Sequence, residues 1–261
     1  MKNQTQIEIS KTDGIKMGLI IIGDEVLSGK RQDKHLAQAN ALLHPRGLKL
    51  SWVKILGDEP GFLTQTLRES FAQPDIVFCF GGIGATPDDR TRQSAALALD
   101  LPIERHPLAV AEIEAQFGEE AYPQRIHMAE YPMGADIIPN FYNRVPGFSI
   151  QHHYFMPGFP MMAKPMMEWV LDTYYADYQQ VPTVEKAIRL INGQESEWVE
   201  FMQQFELDYP NLRLFSLPSI RSDNQRTIEL GVEGNESEVL KGYQALVAEA
   251  EKRQCEWTAM V

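Results

Sequence analysis

Five acids in three short stretches are the residues of this chain best suited to chemistry: Asp24 and Glu25, Asp58, and the neighbouring pair Asp88 and Asp89. They alternate with glycines (Gly23, Gly57, Gly81, Gly82, Gly84), with the hydroxyls of Ser28 and Thr86, and with the cations Lys30, Arg31, Arg90 and Arg92. Carboxylates can hold a divalent ion and orient a water, bare amides in a glycine turn can donate to phosphate oxygens, and a cation can stabilise a departing charge. The combination suits a pyrophosphate held with Mg²⁺, Mn²⁺ or Co²⁺, with Asp24, Asp58, Asp88 and Asp89 as candidate metal ligands. Each acid also has an ordinary use. Asp58 precedes Pro60 and a helical pattern, where a side chain caps the helix, and acids near a helix start contribute about 0.3–1 kcal/mol each through the dipole.

The elements that must position these residues are legible in the apolar patterning. Ile76-Val77-Phe78-Cys79-Phe80 and Met17-Gly18-Leu19-Ile20-Ile21-Ile22 read as strands buried on both faces. Leu48–Leu56 alternates instead, which places it nearer a sheet edge. Helices are expected from Asp33, with Leu36, Asn40 and Leu43 on one face; from Asp58 as cap, with Leu63, Thr66, Leu67, Ser70 and Phe71; over 94–99; from Pro107; and from about Pro160 to Tyr175. The block after Pro107 reads as an insertion. Residues 135–139 read as a strand, 143–148 as a turn, and His153–Met156 as a strand ending at Pro157-Gly158-Phe159-Pro160. In a mostly parallel sheet the loops leaving the strand ends gather at one rim, so Gly23–Lys34, Gly57–Glu59, Gly81–Arg92 and Pro157–Pro160 should meet.

The expected fold is a three-layer αβα sandwich over 17–178, preceded by a flexible tail at 1–16 and followed by a small βαββα unit at 184–261 that carries no catalytic cluster. A formal charge of −12 argues against nonspecific nucleic-acid binding, which draws on lysines and arginines. No apolar run approaches the roughly 20 residues of a membrane span, and Cys79 and Cys255 fit plain thiols in a reducing compartment. A cytoplasmic protein is expected.

The stretches Gly23-Asp24-Glu25-Val26-Leu27-Ser28-Gly29, Gly57-Asp58-Glu59, Gly81-Gly82-Ile83-Gly84-Ala85-Thr86-Pro87-Asp88-Asp89-Arg90-Thr91-Arg92 and Pro157-Gly158-Phe159-Pro160 resemble the molybdopterin-binding domain family. Within it they are most similar to the N-terminal domain of competence/damage-inducible protein A (CinA), over about 17–176. The resemblance implies a homo-oligomer (dimer or trimer) and a pterin or nucleotide ligand, molybdopterin among them. It also implies divalent-metal-dependent hydrolysis of ADP-ribose or a related dinucleotide. Asp58 and Asp89 fall on positions the family uses for adenylyl transfer. Gly81, Gly82 and Gly84 fall on its phosphate loop, with Gly23, Ser28, Thr86, Arg90, Pro157 and Gly158 as further phosphate-binding candidates. Ala85 stands where that branch usually has proline. Ending after the small unit, the chain is expected to lack a deamidase domain. A non-catalytic molybdopterin- or nucleotide-binding module is the alternative; five acids around an anion repel it unless a cation is present.

Overall fold

The computed structural model describes residues 16–220 and 225–260, so the expected tail, apart from Lys16, lies outside the described residues, as does Arg221. The chain divides between Gln179 and Gln180 into two compact units. In the first, β1 (Met17–Ile22), a single helical turn α1 (Asp24–Leu27), α2 (His35–Leu43), β2 (Leu50–Leu56), α3 (Pro60–Phe71), β3 (Ile76–Phe80) and α4 (Thr91–Ala98) follow in order. A short hairpin of β4 (Ile103–Arg105) and β5 (Glu130–Pro132) brackets α5 (Pro107–Phe117), and β6 (Asp136–Ile138), β7 (Gly147–Ile150), β8 (His153–Met156) and α6 (Pro160–Tyr174) complete the unit.

Six strands form the sheet β2-β1-β3-β8-β7-β6. The first four are parallel, and β7 reverses against β8 and β6. Alternate residues of one strand face opposite layers, which explains why the central strands are apolar throughout. Ile20, Ile22, Val77 and Cys79 pack with Leu63 and Leu67 of α3, Ala95 of α4 and Ile113 of α5. Leu19, Ile21, Phe78 and Phe80 pack with Leu42 and Leu43 of α2 and Met166 and Val170 of α6. As its alternation predicts, β2 lies at the edge. The block after Pro107 is integral to one layer: Ala109, Ile113, Ile126 and Tyr131 are part of the same core.

Three expectations need correction. In α2 the inward face is His35, Ala39, Leu42 and Leu43, while Leu36 and Asn40 are exposed, because the α6-facing stripe begins one residue earlier than the apolar spacing suggests. The expected turn over 143–148 ends at Val145-Pro146, and Gly147 opens β7. The second unit has an additional strand. It comprises β9 (Val184–Ile191), α7 (Val199–Asp208), β10 (Arg213–Ile220), β11 (Arg226–Gly234), α8 (Glu236–Lys252) and β12 (Trp257–Ala259), with sheet order β10-β11-β9-β12. Because β12 covers the otherwise open edge of β9, the unit is βαββαβ rather than βαββα. Ile188, Leu190, Trp198, Phe205, Leu230 and Leu246 form its core.

Candidate functional site

Strand register fixes which loops share a rim. Ile21 lies opposite Ile55 on one side and Phe80 on the other, and Phe80 lies opposite Met156. The antiparallel pairing of Phe148 with Phe155 puts Gly147 level with Met156, and Gly147 pairs with Ile138. The four expected loops therefore emerge side by side from one end of the sheet. A fifth, residues 139–146 between β6 and β7, starts and ends at the same level, because β6 runs parallel to β8 and β7 runs back.

Two loops clasp each other through their acids. The Asp24 amide donates to Asp58 Oδ2 at 3.0 Å, and the Asp58 amide donates to Asp24 Oδ1 at 3.3 Å. Gly57 allows this approach, since a Cβ there would lie 2.4 Å from Asp24 Oδ1. Asp58 is half-buried, and its pKa is raised first by that burial and then by the charges of Asp24, Glu25 and Asp88, even though the Asp24 amide works in the opposite direction. Acids from two neighbouring loops thus raise the cost of ionising one carboxylate.

The glycine loop after β3 is closed by its own side chains. Thr91, fully buried, donates from Oγ1 to the Gly81 carbonyl at 3.0 Å, and its amide donates to the Gly82 carbonyl at 2.9 Å. Gly81 and Gly82 have φ of 107° and 68°, the left-handed region, and a Cβ on Gly81 would sit 2.1 Å from the Ile22 carbonyl oxygen. Asp89 Oδ2 accepts from the Thr86 amide (2.9 Å) and hydroxyl (2.6 Å). Asp88 is exposed, and the neighbouring Thr86, its own amide and the Arg90 charge hold its carboxyl below the usual range. Among the described residues, none accepts from the amides of Gly82, Ile83, Gly84 or Ala85, so a run of donors is available to an anion. Gly158 backs directly onto this turn: a Cβ there would be 3.3 Å from Gly81 Cα.

The expected site residues therefore share the rim, in different roles. Asp58 is not the cap of α3; Glu59 is, accepting from the Gly61 and Phe62 amides at 2.9 and 2.6 Å. A residue one position nearer Pro60 reaches those amides, which leaves Asp58 to Asp24. Ser28 and Arg90 are exposed. Gly23 donates its amide to the Leu56 carbonyl (2.9 Å), tying β1 to β2. Arg92 is not a free cation. It is buried, donating to the His127 carbonyl and, at 2.6 Å, to the Gly84 carbonyl, so it anchors the glycine loop, and burial lowers its pKa. Sequence reasoning passed over His35, whose Nδ1 lies 2.9 Å from Asp33 Oδ1 and whose ring stacks on Phe80 at 4.7 Å, beneath the glycine loop. The Asp33-x-His35 spacing at a helix start was the available signal.

Among the described residues no three acids, histidines or cysteines converge closely enough to hold an ion unaided. The donor set fits a hard cation that keeps several waters and takes phosphate oxygens along with one or two carboxylates, the usual habit of Mg²⁺. Asp58, with Asp24 and Asp88 around it, is the carboxylate whose charge such an ion would relieve.

A family model described as "Probable molybdopterin binding domain" matches residues 18–176. A CinA-like protein of Anaeromyxobacter sp. (strain Fw109-5) is 30% identical over 172 residues, covering 63% of this chain and 42% of the relative. A CinA-like protein of Desulforapulum autotrophicum is 31% identical over 165 residues, covering 60% and 39%. The match thus spans less than half the length of these curated relatives. The crystal structure of the protein CinA, with unknown function, from Thermoplasma acidophilum superposes with a TM-score of 0.57 at 22% identity, covering 61% of this chain and 98% of that one, a likeness of fold.

Proposed function

The chain belongs to the probable molybdopterin-binding domain family, and we propose from this that its rim binds a phosphate-bearing nucleotide or pterin and hydrolyses the pyrophosphate of ADP-ribose or a related dinucleotide with the help of a divalent ion. The observation that carries the reading is the reciprocal clasp of Asp24 and the half-buried Asp58, on which the charges of Glu25 and Asp88 also act, beside loop amides that none of the described residues engages. An acid cluster of that kind repels a phosphate unless a cation sits between them.

In the proposed reaction a water oxygen bonds to one phosphorus as that phosphorus releases the bridging oxygen, which leaves with the other phosphate; ADP-ribose and water give AMP and ribose 5-phosphate. A bound divalent ion would supply charge neutralisation on the phosphate oxygens. Asp58 is assigned as the acceptor of the proton lost by water, its half-buried carboxylate being held at the rim by the reciprocal bonds with Asp24. Asp89 shapes the turn that presents the Gly82–Ala85 amides, and those amides stabilise negative charge developing on the phosphate. Arg90, exposed at the start of α4, is assigned to pair with the departing phosphate. Cytoplasmic location and assembly as a dimer or trimer belong to the same proposal; among the described residues no helix is long and apolar enough to cross a membrane.

A binding module without turnover is the second reading. It is favoured by the engagement of Asp24, Asp58 and Asp89 as acceptors for loop amides, which gives each a role in shaping the rim. Incubating the protein with ADP-ribose and Mg²⁺, Mn²⁺ or Co²⁺ and measuring AMP separates the two: AMP release supports hydrolysis, and binding without AMP supports the module.

A further inference from the structure

The fifth loop of the rim presents two aromatic side chains to solvent: Phe141 is 65% exposed and Tyr142 60% exposed. Burying such rings is ordinarily favourable, and two exposed rings adjacent in one loop form a patch suited to a contact. These two are also held firmly. Asn140, buried, donates from Nδ2 to the Val145 carbonyl (3.0 Å) and accepts the Tyr142 amide at Oδ1 (3.0 Å), while its carbonyl accepts the Arg144 amide (3.1 Å). Buried Tyr131 donates to the Pro146 carbonyl at 2.9 Å. The exposed rings thus stand on a preorganised base.

Their position relative to the glycine loop follows from register. Ile138 and Gly147 lie on the rung of Met156 and Phe80, so the aromatic loop leaves the sheet level with Gly81, two to three strands away, about 10–14 Å at the usual strand spacing. A ring linked through a sugar to phosphate can bridge such a gap, with phosphate on the Gly82–Ala85 amides and ring at Phe141 and Tyr142. We propose that Phe141 and Tyr142 form a stacking platform for the planar heteroaromatic ring of the rim's phosphate ligand, adenine being the simplest example. The platform rests on the anion-site reading above and adds the ring-recognising half of the site. Stacking tolerates any flat ring, so it selects for a heteroaromatic ligand without choosing among bases.

The test uses the full chain and two probes of equal phosphate chemistry, AMP and ribose 5-phosphate, titrated calorimetrically with Mg²⁺ present. The wild type is expected to bind AMP more tightly than ribose 5-phosphate. A Phe141→Ala/Tyr142→Ala variant is expected to lose about 5- to 150-fold in AMP affinity, the worth of a stacked base, with ribose 5-phosphate unchanged. Tyr142→Trp is expected to keep AMP affinity and to show indole fluorescence quenched by AMP and not by ribose 5-phosphate. Equal loss of both ligands in the double Ala variant, or no loss of AMP, overturns the platform. Wild-type protein that binds ribose 5-phosphate as tightly as AMP also overturns it while leaving the anion site standing; binding of neither probe overturns the anion-site reading and the platform together.

Discussion

Replacing Asp58 by Asn and by Ala separates its charge from its hydrogen bond. Its Oδ2 accepts the Asp24 amide at 3.0 Å, and an Asn oxygen can take the same place, whereas Ala leaves that amide without its acceptor. A hydrogen bond to a charged group is worth about 1.5–3 kcal/mol, reduced here by half-exposure to about 1 kcal/mol. For a unit of this size that corresponds to a Tm about 2–4 °C lower for Ala than for Asn. The charge acts in the opposite direction. Burial and the neighbouring charges of Asp24, Glu25 and Asp88 raise the folded pKa of Asp58 above the ordinary 3.8. Its favourable contribution is therefore fully present below 3.8 and is lost as pH rises through the raised value. Asp58→Asn should accordingly be at least as stable as wild type at neutral pH, with the difference closing as pH falls toward the ordinary carboxylate range. Thermal denaturation of the three proteins from about pH 3.5 to about pH 8 measures both effects. Turnover of ADP-ribose by Asn should fall about 10²- to 10⁴-fold, the usual worth of a general base. Equal Tm losses for Asn and Ala would refute the clasp, and a pH-independent gap between Asn and wild type would refute the repulsion.

Gly81→Ala should destabilise by about 3 kcal/mol or more, because left-handed strain of about 1–3 kcal/mol adds to a backbone clash with Ile22. Gly29→Ala, with the same sign of φ and open space around it, should cost about 1 kcal/mol, and denaturant melts of the pair check the contrast. Arg92→Met should cost about 2–4 kcal/mol by leaving the Gly84 and His127 carbonyls unpaired, and should weaken phosphate binding through the loop it anchors; calorimetry with AMP reads the second effect. Asp89→Asn keeps an oxygen for the Thr86 amide, so its Tm should stay within about 2 °C of wild type while its Mg²⁺-dependent turnover falls at least about tenfold.

The parts of the fold legible in the sequence are those whose physics is local. The unbroken apolar runs of β1 and β3 announce strands buried on both faces, and the alternation of Leu50, Trp52 and Lys54 announces an edge, because each depends only on which faces meet solvent. Strand β7 escaped notice because four residues opening at Pro146-Gly147 carry no periodicity, and the reversal it makes is what brings the 139–146 loop to the rim. Phe141 and Tyr142 could not be tied to the glycine loop without that reversal. The acids themselves were legible by type and spacing, whereas their partners were not: Asp24 and Asp58 are 34 residues apart, and only the β1–β2 pairing joins them. Local logic misassigned the α3 cap because Asp58 and Glu59 both satisfy the pattern, and the choice was made by the Asp24 amide across the rim. Arg92 reads as a ligand cation in sequence, but its position in the first turn of α4 directs it to carbonyls beneath the loop.

The most direct measurement of the central claim is AMP release from ADP-ribose by the purified chain, followed with and without divalent ions and repeated for Asp58→Asn. The expected result is AMP formed only when Mg²⁺, Mn²⁺ or Co²⁺ is present, in step with ribose 5-phosphate, and largely abolished in the variant. Wild-type protein that binds AMP yet forms no product above blank with any of these ions, or a variant that turns over at the wild-type rate, would contradict it.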